Sequence, residues 1–154
     1  MHHFSKEEIA HLKACEGQKI AEINYYEWLN RANPKADYAF IDKIECAFES
    51  GKTVVFAINN EDSGMKITTK YDFETEKRKI VREFGDVISI IKHPATALDI
   101  WLDAVGNPVQ TIDTETMGEG ELSRFVYLNF GEEKRVIFHH QEKGLLVEIH
   151  EEDI

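Results

Sequence analysis

Cysteine is scarce in this chain: Cys15 and Cys46 are the only two among 154 residues. They show no CxxC spacing and no zinc pattern with the histidines, so neither a disulfide framework nor a structural zinc motif is expected. Both read as buried thiols that behave as small hydrophobes. Long apolar runs are missing as well. None approaches the ~20 residues that cross a bilayer, and the opening "MHHFSKEEIAHLK" lacks the apolar stretch of a signal peptide, so a cytoplasmic protein is expected. Basic charge is thin in the later part of the chain. Residues 85–154 hold 5 Lys and Arg against 14 Asp and Glu, a net −9 of the −11 overall. That field repels phosphate backbones, which argues against a nucleic-acid partner, whereas a basic protein is attracted to it.

Catalytic signatures are lacking too. No serine stands in a GxSxG context, no cysteine signature or glycine-rich phosphate loop occurs, and "GEGE" has no strand-to-helix setting for a dinucleotide. The oxygen-rich "NNEDSG" is too short for a calcium loop and lacks its closing Glu, so it reads as a hairpin turn. Neither enzymatic activity nor a cofactor is expected.

What is present is internal similarity. Shifted by 82 positions, Phe48 falls on Phe130, Val54 on Val136 and Phe56 on Phe138; beyond the turn the shift becomes 80, and Gly64 meets Gly144 while Ile67 meets Val147. Upstream, Leu12 aligns with Ile91 and Lys13 with Lys92. The expected fold class is α+β, predominantly antiparallel β. It is read as one globular domain over 1–154, built from two similar tandem halves at about 1–75 and 84–154, joined by 76–83. In each half a short helix precedes strands and a hairpin. Ser5 with Glu8 forms a capping box before Ile9 and Leu12, and Asp86 takes the N-cap part before Ile88 and Ile91. Strands are expected over 20–29, 40–49, 52–58 and 65–73, then over 97–103, 122–130, 134–140 and 145–150, with a further one over 109–116. Around the joint, Ile80, Phe84, Val87, Ile88 and Ile91 have helical spacing but Gly85 interrupts them, so residues 74–84 read equally as helix or strand.

The histidines of "VIFHHQEKGLLVEIH" invite a metal reading, which hairpin geometry opposes. If His140 pairs with Leu145, then Phe138 pairs with Val147 and Val136 with Ile149, while His139 lies opposite Leu146 and Arg135 opposite His150. His139 and His150 are then about 13 Å apart along the ladder at ~3.4 Å per residue, and His140 faces the other side, so no metal site is expected. A candidate interaction surface comes from alternation elsewhere. In "ALDIWLD" it puts Asp99, Trp101 and Asp103 on one face and Leu98, Ile100 and Leu102 on the other; in "IAEINYYEWLN" the corresponding face carries Glu22, Asn24, Tyr26 and Trp28. Acidic rims around aromatics suit a protein-binding patch, although packing between halves, or in a homodimer, would cover the same rings. Size, charge and the absence of motifs lead to the expectation of a non-enzymatic binding protein, of the kind of a bacterial immunity-type inhibitor that meets a basic partner. The alternative is a small-ligand binder or enzyme with its pocket between the halves.

Overall fold

The computed structural model describes residues 4–32, 38–59, 64–102, 104–117, 122–130, 134–141 and 144–151. The "SKEE" signature nucleates α1 (Lys6–Ala14) as expected: the Ser5 hydroxyl accepts the Glu8 N–H at 3.0 Å and the Glu8 carboxylate accepts the Ser5 N–H at 2.8 Å. Two long strands follow, β1 (Ile20–Asn30) and β2 (Tyr38–Phe48), then β3 (Thr53–Asn59) and β4 (Gly64–Thr68).

The joint is helical. Chain direction changes at Asp72, whose carboxylate accepts the Thr75 N–H at 3.1 Å and opens α2 (Phe73–Phe84), so the strand expected over 65–73 stops at Thr68. Gly85, at φ 60°, donates its N–H to Val81 and ends the helix, so this glycine is a stop rather than an interruption. Asp86 caps nothing, because Ile88 and Ile91 belong to a strand, β5 (Ile88–Pro94). The next expectation also fails: residues 97–103 are not a strand, and a short helix, α3 (Asp99–Leu102), stands there. The last four strands are β6 (Thr111–Met117), β7 (Leu122–Asn129), β8 (Lys134–Gln141) and β9 (Gly144–Glu151).

The nine strands among the described residues belong to one antiparallel, curled sheet that forks at β2. β5 and β1 lie on one side of β2, while its other edge serves two partners: β3 through Lys43–Ala47 pairings, and β9 where Ile41 meets Leu145. From the fork, β3–β4 forms one branch and β9–β8–β7–β6 the other. The fork is tight. A Cβ on Gly144, at φ 120°, would lie 2.7 Å from the Cβ of Phe40 and 3.0 Å from the carbonyl of Ile41, so only glycine lets β9 approach β2. The branches curl over a shared core, in which the rings of Phe56 on β3 and Phe138 on β8 meet edge to face at 4.9 Å and Trp101 packs on Phe138 at 5.9 Å.

The two β-meanders, β2–β3–β4 and β7–β8–β9, pair alike: Ile44–Phe56–Ile67 corresponds to Val126–Phe138–Val147 at the offsets of 82 and 80. The elements before them do not correspond, since β1 has α3 opposite it in the alignment and α1 has β5.

Curling leaves β4 and β6 as the ends of the two branches, and α1 serves both. The Glu8 carboxylate accepts the Ile67 N–H at 2.7 Å; at β6, Glu16 accepts the Ile112 N–H at 2.8 Å and Lys13 donates to the Ile112 carbonyl at 2.9 Å. Side chains thus satisfy backbone groups that a sheet edge leaves open. Leu12 of the same helix and Cys15 at its C-cap complete the core.

Candidate interaction surface

Trp101 is a core residue, not a surface anchor: it is fully buried, and its indole N–H donates to the Tyr25 hydroxyl at 2.7 Å. The cause is periodicity. Trp101, Ala104 and Val105 follow the i, i+3, i+4 spacing of a helical turn and pack inward, whereas Leu98 and Leu102, expected inside, are 47% and 57% exposed. Asp99 is exposed in the first turn of α3, and Asp103 lies outside the described residues. Glu22 is exposed and accepts from the buried Asn24 amide, which also donates to Glu45 at 2.8 Å. The six sequence candidates therefore do not form one face.

Tyr26 is buried as well, at the centre of a second apolar cluster with Ile80 of α2 and Ile90 of β5. Its ring meets Tyr71 edge to face at 5.0 Å and lies 5.1 Å from Phe73. Beside them Lys43 joins the Asp42 carboxylate to Glu76 of α2 at 3.1 Å and sits 5.1 Å above the Tyr71 ring. This ion triad ties α2 to the sheet. Burial, reinforced by the charges of Glu45 and Glu76 respectively, pushes the Tyr26 and Tyr71 hydroxyls far above the ordinary phenol range.

Trp28 is the one sequence candidate that leads to an open surface. It is half-buried and begins a row on the face of the sheet opposite the main core. Trp28 pairs with Phe40 across β1 and β2, stacked at 6.3 Å; because Ile41 pairs with Leu145, Phe40 lies next to Leu146 on β9; Leu146 pairs with His139 on β8, and His139 with Phe125 on β7. The row crosses five strands. The rings of Phe125 and His139 stack at 4.3 Å, Tyr127 stacks on Phe125 at 6.1 Å, and Arg135 covers Tyr127 at 4.9 Å while donating to Asn129. At the Trp28 end, Phe84 of α2 approaches edge-on at 6.3 Å and is 41% exposed; Leu146, in mid-row, is 40% exposed. Asp113 and Glu148, both exposed, flank Tyr127 and Ile137 in the same ladder. Sequence alternation in β7, β8 and β9 signalled this face, but joining it to β1 and β2 required the Ile41–Leu145 bridge.

The terminal hairpin has the expected register, with His140 opposite Leu145, His139 opposite Leu146 and Arg135 opposite His150. His140 is buried on the core side and His139 lies on the outer row. Among the described residues no group of three His, Cys, Asp or Glu side chains is arranged to hold a metal ion. A hollow of about 180 Å³ lies where residues of both expected halves meet, between α1 and β6. Its lysine, Lys13, is engaged by Glu16 and the Ile112 carbonyl. Among the described residues no helix is long and apolar enough to cross a membrane. No family model, curated protein or solved structure matches the chain.

Proposed function

We propose that this chain is a non-enzymatic binding protein that meets a basic partner protein through the outer row, in the manner of an acidic immunity-type inhibitor. The observation that carries the reading is the continuous row Trp28–Phe40–Leu146–His139–Phe125, which spans five strands with its aromatic groups half-buried and a leucine 40% exposed at its centre. Such a row gives apolar anchoring area, since aromatic side chains in partly desolvated positions dominate interface energetics. The charge of −11, with Asp113 and Glu148 beside the row, supports a basic partner through long-range steering. A cytoplasmic location belongs to the same reading, supported by two free, buried thiols. We also infer that the β2–β4 and β7–β9 meanders are copies of one duplicated unit, which their common offsets support.

The test is capture of partners from native lysate on the immobilised chain, followed by binding kinetics of the purified captured protein. Leu146→Asp, an exposed position whose replacement spares the core, should abolish capture, and association should slow as salt shortens the reach of charge to ~8 Å. A partner retained equally by Leu146→Asp, with a salt-insensitive association rate, would defeat the proposal.

A further inference from the structure

The sheet has three ends, and the third differs from the other two. α1 supplies hydrogen-bond partners to β4 and β6, whereas β5 pairs only with β1 and no described residue pairs with its outer edge. The ladder fixes which of its backbone groups are open. Arg31 N–H donates to the Val87 carbonyl at 2.8 Å and Ala95 N–H to the Ile23 carbonyl at 2.8 Å, so the odd-numbered positions between them face β1. In an antiparallel pair the alternate residues then point their N–H and C=O groups outward: Ile88, Ile90 and Lys92.

A hollow of about 420 Å³ runs beside this edge, lined by residues 89–92 of β5, Phe73 and Lys77 of α2, and Arg31. Ile90 packs under α2, so Ser89 and Ile91 belong to the opposite face of the strand. Residues from both faces of one strand line a single hollow only where it follows the open edge. The wall opposite is formed by Phe73 and Lys77, one turn apart on α2 at i and i+4. Charge gives the hollow its character. Arg31, Lys77 and Lys92 are all exposed, Arg31 is held in place by donating to Ser89 Oγ at 2.7 Å, and no carboxylate is among the described lining residues, in a chain whose net charge is −11.

We propose that the edge of β5, with α2 alongside, binds an extended acidic segment of a partner protein as an added strand. The backbone of the segment pairs with Ile88, Ile90 and Lys92, its carboxylates face Arg31, Lys77 and Lys92, and an apolar residue between them rests on Phe73. Main-chain pairing supplies affinity in this mode and the flanking side chains supply selectivity. The hollow adjoins the Trp28 end of the outer row through the Trp28–Ile90 pair, but the two tests change different residues, Leu146 in mid-row and Lys77 with Lys92 here, so each can fail without the other.

The experiment is panning of a random decapeptide phage library on the intact chain, with affinities of the enriched peptides measured by fluorescence anisotropy at low salt. The expected peptides are acidic with alternating apolar residues. Lys77→Glu with Lys92→Glu should weaken them about tenfold or more, while the control pair Lys6→Glu with Lys19→Glu, which changes net charge equally, should not. Bound peptide should slow hydrogen exchange at the amides of Ile88, Ile90 and Lys92. A library that yields no acidic binder, or binders indifferent to the Lys77 and Lys92 changes, overturns the proposal. So does binding without protection of those three amides, which is the behaviour of a small anionic group in the hollow rather than a strand.

Discussion

Glu16 illustrates how one side chain at the end of a helix closes a sheet. Its carboxylate accepts the Ile112 N–H at 2.8 Å, and this bond, aided by Lys13, holds its pKa below the usual carboxylate value. A carboxyl group with a depressed folded-state pKa contributes stability that is present above its unfolded value and lost as pH falls through the folded one. Replacing Glu16 by Gln, which keeps an acceptor for the Ile112 N–H but removes the charge, should therefore cost somewhat less than the ~1 kcal/mol net worth of such a hydrogen bond at neutral pH. The difference between the two proteins should shrink as acid protonates the native carboxylate. Chemical denaturation of both at neutral and acidic pH measures it; a gap that is independent of pH would mean the carboxylate charge plays no part. At this scale the sequence was partly informative. The capping box of Ser5 and Glu8 is a local signal and was legible, whereas the second bond of Glu8, to Ile67, and that of Glu16, to Ile112, join residues 59 and 96 positions apart and leave no local trace.

Elements were legible where their period was unambiguous. The hairpin of β8 and β9 follows period 2 with every apolar pair on the core side, and its register was readable in full. Residues 97–105 carry two periods at once: Leu98, Ile100 and Leu102 alternate like a strand, while Trp101, Ala104 and Val105 repeat like a helix. Burial of the indole with its N–H satisfied by Tyr25 favours the helical solution, and the alternating leucines are left outside. The matching meanders lead to a prediction about how elements cooperate. Phe56 and Phe138 are 1% and 0% exposed and touch at 4.9 Å, so replacing either by Ala should cost about 3–5 kcal/mol. Their contact makes the pair non-additive. The double replacement should cost less than the two single losses combined, because each single variant already forfeits the shared ring contact. Urea unfolding of the four proteins decides this, and strict additivity would indicate that the two branches do not share one core.

For the whole molecule, the outcome turns on what the curled sheet encloses and what it leaves uncovered. Composition indicated an acidic α+β chain with enough apolar residues for a core, but the fork at β2 depends on one bridge between residues 41 and 145 and on a glycine at 144, which no local pattern announces. Curling has a consequence for alkaline stability. Tyr25 lies in the main core, where burial raises its hydroxyl to about 12, and Tyr26 and Tyr71 in the second cluster are raised further by burial and neighbouring carboxylates. Unfolded tyrosines ionise near the ordinary value of 10.0. Above that value the unfolded chain releases protons that the folded chain retains, so stability is fully present below pH 10, falls as pH rises beyond it, and is lost for Tyr25 by about pH 12. Both clusters take part, so unfolding in alkali should be cooperative. The share of the tyrosinate absorbance that comes from Tyr25, Tyr26 and Tyr71, three of the five tyrosines, should rise together with the loss of circular dichroism rather than before it, and Tyr71→Phe, which removes one ionisable group from the second cluster, should move the midpoint to higher pH. Ionisation of the buried tyrosines while the sheet signal persists would show that these hydroxyls are open to solvent, and that α2 does not seal the second cluster against the sheet.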